Sequence, residues 1–321
     1  MRSINAPSYS FVASVEKIYR DLGDLGMTLY GIDRELASDY MRLFDTIFEV
    51  QPHAFGGTPS LADKCCRDPR FSEEYIRDLR LIILGGEVIP TQLAEKLLSR
   101  FPKANLLCSF GSTELTSGTI KFWITREMLR DGKQLPVGSP VNSTAYIADE
   151  NGNELGDEEI GELFVVSDMV ALGYFNDPQR TAQKFFTTSD GQRGCRTGDL
   201  VWREGDVFYY VGRVDNQVKV GGYRVEIEDV ERHMRKVSLI KECAVAPVIE
   251  NERVALLTAF VILKDRGFTP IESIIAIKRE MAATVQPYMI PQKIVFVDSL
   301  PSNSNNKLDR NILKEMANKN K

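Results

Sequence analysis

Gly85-Gly86-Glu87 and Phe110-Gly111-Ser112-Thr113-Glu114 each close a short apolar run, and each carries groups that could hold a flat, anionic ligand. Glycines at such a point let a planar ring approach the backbone. Phe110 supplies an aromatic face. Thr113 can donate a hydroxyl hydrogen to a phosphate oxygen. Glu114 can hold Mg2+, a hard cation that prefers oxygen ligands. Arg196-Thr197-Gly198-Asp199 reads as a turn bearing a carboxylate suited to a pair of ribose hydroxyls. Arg213 is a permanent cation. It stands in Gly212-Arg213-Val214-Asp215, shortly before Lys219-Val220-Gly221-Gly222 and the start of a helix. Lys307 lies in a Ser/Asn-rich stretch, where a mobile ammonium can be delivered to a developing charge.

The elements that must position these groups show in the apolar pattern. Residues 79–84 form one continuous apolar run and residues 105–110 a second. Between them, behind Pro90 and Thr91, Leu93, Leu97 and Phe101 recur at helical spacing. This is a βαβ unit with parallel strands, so both glycine-bearing ends open on one sheet edge. That edge is where α/β folds bind ligands. From about 141 to 212 the texture changes to hairpins, with Asn151-Gly152 and Gly205-Asp206 between strand-like runs.

After Asp215 the pattern restarts. A helix beginning near 226 has acid in its first turn, Arg235 and Lys236 near its end, and a stripe of Ile227, Val230, Met234 and Val237. Residues 243–249 and 254–263 read as paired strands. Ile274, Ile277, Met281 and Val285 mark another helix, 293–297 a short strand and 301–307 a loop. The predicted fold class is α/β plus α+β. Residues 1–214 hold the parallel βαβ part and an antiparallel hairpin subdomain. Residues 215–321 form a small α+β domain, with the boundary at Asp215.

Composition narrows the function classes. The 321 residues hold ample core for two unequal domains. Apolar content of 43% and charged content of 26% are those of a soluble globular protein. A net charge of −5 and the lack of a basic stripe exclude a nucleic-acid surface. Five cysteines show neither disulfide nor metal spacing, as expected of reduced thiols in a cytoplasmic protein. The opening MRSINAPSYS lacks the apolar core of a signal peptide, and no run reaches transmembrane length.

In order and spacing together, the clusters resemble the adenylate-forming (AMP-binding) superfamily, which includes acyl-CoA synthetases, luciferases and peptide-synthetase adenylation domains. The resemblance runs from about Ala6 to the end and implies ATP and Mg2+ as the working groups. It gives Gly85, Gly86, Glu87, Phe110, Gly111, Ser112 and Thr113 to the nucleotide, Glu114 to the metal and Asp199 to the ribose. Arg213 also touches the nucleotide, and Arg213 and Lys307 are the implied catalytic cations; Lys307 lies in Asn305-Asn306-Lys307-Leu308-Asp309-Arg310. Asp215 becomes a hinge, about which the small mobile domain would present Lys219, Gly221 and Gly222 to a carrier's phosphopantetheine thiol. The strings GGEVIPTQLAEKLLSRFPKA, QLPVGSPV, GYFNDPQRTAQKFF and PYMIP are most similar to ligases that load D-alanine onto a carrier protein for teichoic acid modification. Peptide-synthetase adenylation domains come next.

The departures are informative. The superfamily's Ser/Thr/Gly-rich phosphate loop, ending in Pro-Lys-Gly, has no counterpart here, and much of its N-terminal domain lies upstream of the match. An exposed apolar face and an unpaired sheet edge are therefore expected. Either a separate chain supplies the rest or this is a truncated product. In the acyl pocket, Phe11-Val12-Ala13-Ser14 matches a Phe-Asp-x-Ser segment, so Val12 replaces the carboxylate that pairs with an α-amino group. An ammonium buried beside valine without a counter-charge is costly. Glu16 could take it over; equally, the acid lacks an α-amino group, or the site is inactive. The other pocket positions are Ala13, Ile83, Gly85, Ser109, Ser117 and Gly118, which make a roomy cavity. Cys108 replaces an adenine-bonding Asn, Cys195 a Tyr, Asn306 a Gly, and Phe110 a Tyr.

The expected function is ATP-dependent activation of a small carboxylic acid as acyl-AMP, then transfer to a carrier protein. The acid is D-alanine-like or lacks the α-amino group. Two alternatives stand beside it. One is a non-catalytic or split-protein fragment that needs a partner chain for the phosphate loop. The other is a peptide-synthetase adenylation domain with altered substrate.

Overall fold

The computed structural model describes all residues except 8, 10, 34, 37, 38, 131, 132, 216, 251, 252, 265–268, 303–307, 320 and 321, and the side chains of Tyr40 and Ser117. The chain divides into two units, Met1–Val214 and Asp215–Lys321.

Seven strands of the first unit share one sheet: β1 (Arg2–Asn5), β2 (Thr28–Gly31), β3 (Ala54–Gly57), β4 (Leu81–Gly85), β5 (Asn105–Ser112), β6 (Ser117–Ile124) and β7 (Ser139–Pro140). Their spatial order is β2-β1-β3-β4-β5-β6-β7. The first five pair in parallel and the last two antiparallel. In β4 the pleat sends Ile82 and Leu84 to one face, and Ile83 and Gly85 to the other. Ile82 and Leu84 join Phe55, Leu106 and Cys108 in the main core. Helices Tyr40–Val50, Pro59–Cys65 and Thr91–Arg100 close it with Leu43, Ile47, Ala62, Leu93 and Leu97. Each buried Leu or Ile contributes about 1.5–3 kcal/mol. Asp39 caps the first helix, accepting from the Met41 and Arg42 amides, and Thr58 caps the second ahead of Pro59. The βαβ unit read from sequence is β4, helix Thr91–Arg100 and β5; Phe101 falls just past the helix and stays buried.

A different layer touches the opposite face. Helix Val12–Lys17 runs into a π-helical stretch, Ile18–Asp24. Its inner side is polar. Lys17 Nζ lies 2.9 Å from Asp21 and donates to Ser3 Oγ at 3.0 Å. Ser3 Oγ donates to Asp21 at 2.6 Å, Arg20 Nε donates to Asp21 at 2.7 Å, and Asn5 donates to Ser14 Oγ at 2.6 Å. A Cβ on Gly56 would stand 2.9 Å from Lys17 Nζ, so β3 leaves room for the ammonium by carrying glycine. The outward side exposes Val15, Tyr19, Leu22 and Leu25, with Tyr30 on the edge strand β2. The apolar surface and sheet edge expected from the sequence are both present here.

Five further strands, β8 (Thr144–Ala148), β9 (Gly161–Val166), β10 (Phe185–Thr187), β11 (Arg193–Glu204) and β12 (Val207–Arg213), form an antiparallel sheet. Asp149 organises the Asn151-Gly152 turn by accepting from the Asn151 and Asn153 amides. Gly205-Asp206 joins β11 to β12, and Trp202 stacks on Tyr209 across this hairpin with ring centroids 4.1 Å apart. Thr197-Gly198-Asp199 is not the turn suggested by its composition. It is a bulge inside β11, where the register against β9 shifts between Arg196 and Leu200. Gly198 makes the bulge possible by holding φ at +78°.

The second unit is a sheet of β13 (Gln217–Val220), β14 (Tyr223–Glu226), β15 (Ile240–Glu250), β16 (Arg253–Leu263) and β17 (Lys293–Phe296), ordered β14-β13-β16-β15 with β17 on β16. Alternation along β15 splits the core. Cys243 and Val245 face helices Ile227–Met234 and Pro270–Ala282, while Ala244, Ala246 and Val248 face helix Arg310–Lys319. The stripe of Ile227, Val230, Met234 and Val237 is buried as read. A capping box of Thr269 and Glu272 starts the helix at Pro270. Among the described residues no helix is long and apolar enough to cross a membrane.

Candidate active site

Parallel pairing of β4 and β5, with Gly85 opposite Ser109, opens Gly86-Glu87 and the Ser112–Glu114 segment on the same sheet edge. Gly86 has φ +84°. The Glu87 carboxylate is partly committed: one oxygen accepts from the Ser60 amide at 2.9 Å and the Ser60 hydroxyl at 2.7 Å, tying the strand end to helix Pro59–Cys65. The other oxygen is buried and takes no partner among the described residues. Ser112 Oγ is in the same condition. Two unsatisfied polar atoms at the cradle fit a ligand that brings its own donors and acceptors.

The loop after β5 is fixed from the hairpin sheet side. Thr116 Oγ1 donates to the Met169 carbonyl at 2.7 Å, and the Ala171 amide donates to the Glu114 carbonyl at 2.9 Å. The Tyr174 hydroxyl donates to the buried Glu114 carboxylate at 2.5 Å. Tyr174 was not singled out from the sequence, although it sits in the GYFNDP string. Thr113 is exposed. Phe110 is packed into the core between the two sheets, 8% exposed, its ring 6.4 Å from that of Tyr210.

Among the described residues no group of three or more His, Cys, Asp or Glu could hold a metal by itself. Glu114 would supply one carboxylate. Phosphate oxygens and water would complete a Mg2+ shell, the usual arrangement for this ion beside a nucleotide.

The β11 bulge carries Asp199. The Gly198 amide donates to Glu162 at 2.7 Å, Thr197 Oγ1 donates to the Leu163 carbonyl at 2.8 Å, and the Asp199 amide donates to Thr197 Oγ1 at 3.0 Å. Arg213, opposite Asp199 in register on β12, donates to its carboxylate at 2.7 Å. Both side chains are buried. The structure thus joins the two residues that the sequence placed in separate motifs.

The expected acyl-pocket positions fall on four elements. Val12, Ala13 and Glu16 share helix Val12–Lys17; Ile83 and Gly85 lie on β4, Ser109 on β5, and Ser117 and Gly118 on β6. A side chain at Gly85 would meet the Ser109 carbonyl, and one at Gly118 would meet Ser109 Oγ. Glu16 is not available in the way the sequence suggested. It accepts from Arg20 at 3.1 Å and lies 3.8 Å from Lys121 Nζ. Neither cation was singled out from the sequence. The i,i+4 spacing of Glu16 and Arg20 was a signal, whereas Lys121 approaches from β6 and had none.

In the second unit, Lys219 precedes a two-residue hairpin whose Gly221 and Gly222 have φ +58° and +87°. Positive φ at both positions is the geometry that glycine permits. Tyr223, next in line, stacks face to face on Tyr288 at 4.3 Å. Asp215 accepts from the Gln217 amide at 3.2 Å. Lys307, with Asn305 and Asn306, lies outside the described residues. Its flanks are ordered: Ser302 and Leu308 form a β-bridge, and the Asp309 amide donates to the Pro301 carbonyl at 2.9 Å. Arg310 of the same motif makes a two-pronged pair with buried Glu231 at 3.0 and 3.1 Å.

All five cysteines are free and buried. Burial pushes the Cys65 and Cys243 thiols up to about 12, so neither offers a thiolate at neutral pH.

Comparison with known proteins agrees with this architecture. The family model described as AMP-binding enzyme matches residues 24–175, and that of the AMP-binding enzyme C-terminal domain matches residues 229–307. The chain belongs to the AMP-binding enzyme family. It is 36% identical over 315 residues to a D-alanine–D-alanyl carrier protein ligase of Lacticaseibacillus casei (strain BL23), covering 97% of this chain and 62% of that protein. It is 34% identical over 309 residues to the ligase of the same description from Bacillus cereus (strain AH187), covering 96% and 61%. The chain therefore spans about three-fifths of the length of these relatives. Among solved structures, the Vibrio cholerae adenylation domain AlmE, in complex with glycyl-adenosine-5'-phosphate, superposes with a TM-score of 0.83 at 23% identity, over 98% of this chain and 58% of that one. Holo-PA1221, a peptide-synthetase protein with adenylation and carrier domains, gives 0.79 at 26% identity, over 98% and 53%.

Proposed function

We propose that this chain is the acyl- and nucleotide-binding portion of an AMP-forming ligase that loads a small acid onto a carrier protein. The observation that carries the reading is the buried Asp199–Arg213 pair on the β11 bulge, in the same unit as the glycine-lined end of β4 and the Glu114 loop. In this reading Gly85, Gly86, Gly111 and Ser112 form the cradle and Asp199 takes the ribose hydroxyls. Glu114 takes Mg2+, which neutralises charge on the phosphates. A substrate carboxylate attacks the α-phosphorus of ATP, giving acyl-AMP and pyrophosphate. The protein contributes positioning and positive charge from Arg213 and Lys307. Lys219, Gly221 and Gly222 then serve the carrier's thiol, with Asp215 as hinge between large and small domains. ATP as reactant and five free thiols support a cytoplasmic setting.

A second reading is favoured by one fact: the chain holds no Ser/Thr/Gly-rich run ending in Pro-Lys-Gly. Backbone donors for the outer phosphates are then supplied from outside these 321 residues, or the chain binds nucleotide without turnover. Pyrophosphate exchange over a panel of carboxylic acids, with and without a companion bearing such a loop, decides between them. Exchange with the companion supports the ligase. No exchange with any acid in either arm leaves a non-catalytic binding protein.

In the exchanging complex, Lys307→Ala is expected to lower adenylate formation by about 10²–10³-fold, the usual cost of removing one preorganised donor to a developing charge. The urea midpoint should not move. Full exchange by the variant would remove Lys307 from the reaction.

A further inference from the structure

We propose that the acyl pocket accepts a short acid carrying a second carboxylate, and that Lys121 is the residue that reads it. The inference rests on the adenylate-forming reading and concerns the chemical class of its acid. At Val12 the pocket has an apolar side chain where an α-ammonium would need a counter-charge. Glu16, one turn along the same helix, is the carboxylate available to replace it, and it already faces two cations. Arg20 donates to it at 3.1 Å and Lys121 Nζ stands 3.8 Å away. With Asp21 and Lys17, which pair behind Arg20, three cations stand against two carboxylates, a positive excess of one. An incoming ammonium would meet repulsion from Arg20 and Lys121.

Of the two cations, Arg20 is the more fully engaged, since it also donates to Asp21 at 2.7 Å. Lys121 makes no hydrogen bond among the described residues, and Glu16 lies beyond hydrogen-bonding distance of its ammonium. Its placement suits a reading role. Lys121 is opposite Ser109 in the β5–β6 register, and its Cε lies 3.3 Å from where a Cβ on Gly118 would stand. The stem therefore crosses the Ser109–Gly118 wall. Glycine at 118 leaves room for the Ser109 hydroxyl and the Lys121 stem, and glycine at 85 for the Ser109 carbonyl. A carboxylate on a two-carbon arm would accept a charge-assisted hydrogen bond from the ammonium.

The test is calorimetric titration of the chain with four adenosine 5′-sulfamates: the acyl-free parent, and the propionyl, D-alanyl and succinyl forms, the last with its distal carboxylate free. The succinyl compound is expected to bind at least tenfold more tightly than the D-alanyl one, with propionyl between. Lys121→Met should erase the margin of succinyl over propionyl, and Lys121→Arg should keep it. Val12→Asp should reverse the order, favouring D-alanyl. D-alanyl binding as tightly as succinyl, or a succinyl margin that survives Lys121→Met, overturns the proposal. The acyl-free parent reports the nucleotide cradle alone. If it and all three acyl forms fail to bind, the adenylate reading itself falls and takes this inference with it.

Discussion

Asp21→Ala is expected to destabilise the first unit by about 3–5 kcal/mol, the cost of stranding one member of a buried ion pair. The Lys17 and Asp21 side chains are 5% and 2% exposed, and the ammonium has been accommodated by glycine at 56. Without Asp21, Lys17 keeps a neutral hydroxyl at Ser3 as its hydrogen-bond partner among the described residues, and Arg20 loses its shorter bond. Urea unfolding should show the loss. Lys17→Met combined with Asp21→Leu should recover most of it, because a well-packed apolar pair substitutes for buried charges at little cost. A single-variant loss below about 1 kcal/mol would mean that water reaches the pair. The same network sets an acid limit. Burial pushes the Asp21 carboxyl up, but hydrogen bonds from Arg20, Ser3 and Lys17 outweigh it and hold the pKa below the ordinary 3.8. A depressed carboxylate pKa contributes stability that is fully present above the unfolded value and is lost as pH falls through the folded one. The Asp21 contribution should thus persist through mildly acidic pH and disappear below about 3.8; in Asp21→Asn that acid-labile component should be missing.

Glu231→Ala is the counterpart in the second unit, with an expected loss of the same order, about 3–5 kcal/mol. Glu231 is 2% exposed on helix Ile227–Met234. It accepts two hydrogen bonds from Arg310, a third contact from Arg235 at 3.4 Å and the Val245 amide at 2.9 Å. Removing the carboxylate leaves the Val245 amide orphaned in the middle of β15 and frees the start of helix Arg310–Lys319. Hydrogen exchange at Val245 and along that helix should accelerate together. Glu231→Gln, which can still accept from the amide, should protect Val245 while leaving the helix start loosened. Equal protection in all three proteins would show that the pair is incidental.

The sequence made the regular elements legible where pattern and packing agree. The apolar run before Gly85 and the stripe of Leu93 and Leu97 lead directly to β4 and its following helix, because that helix packs on a sheet with one buried face. The stripe at Ile227, Val230 and Met234 is legible for the same reason. Most of the parallel sheet was not. β1, β2 and β3 are four-residue strands, too short for a period to show. The Thr197-Gly198-Asp199 segment misled because a glycine between polar residues is the local signature of a turn, and only pairing on both sides turns it into a bulge. At the site, the residue types were readable and their commitments were not. Glu87 serves Ser60, Glu114 accepts from Tyr174, and Glu16 faces Lys121 across separations of 27, 60 and 105 positions, which no local pattern encodes.

Both tryptophans, Trp123 and Trp202, belong to Met1–Val214, and the face-to-face Tyr223–Tyr288 pair belongs to Asp215–Lys321. Indole emission therefore reports one half of the molecule alone. Two parallel phenol rings at this spacing should couple as chromophores and add a second-unit contribution to the near-ultraviolet dichroism, beside that of the Trp202–Tyr209 stack in the first unit. Whether the halves melt in one step or two can be followed optically, without a label or an added reporter residue.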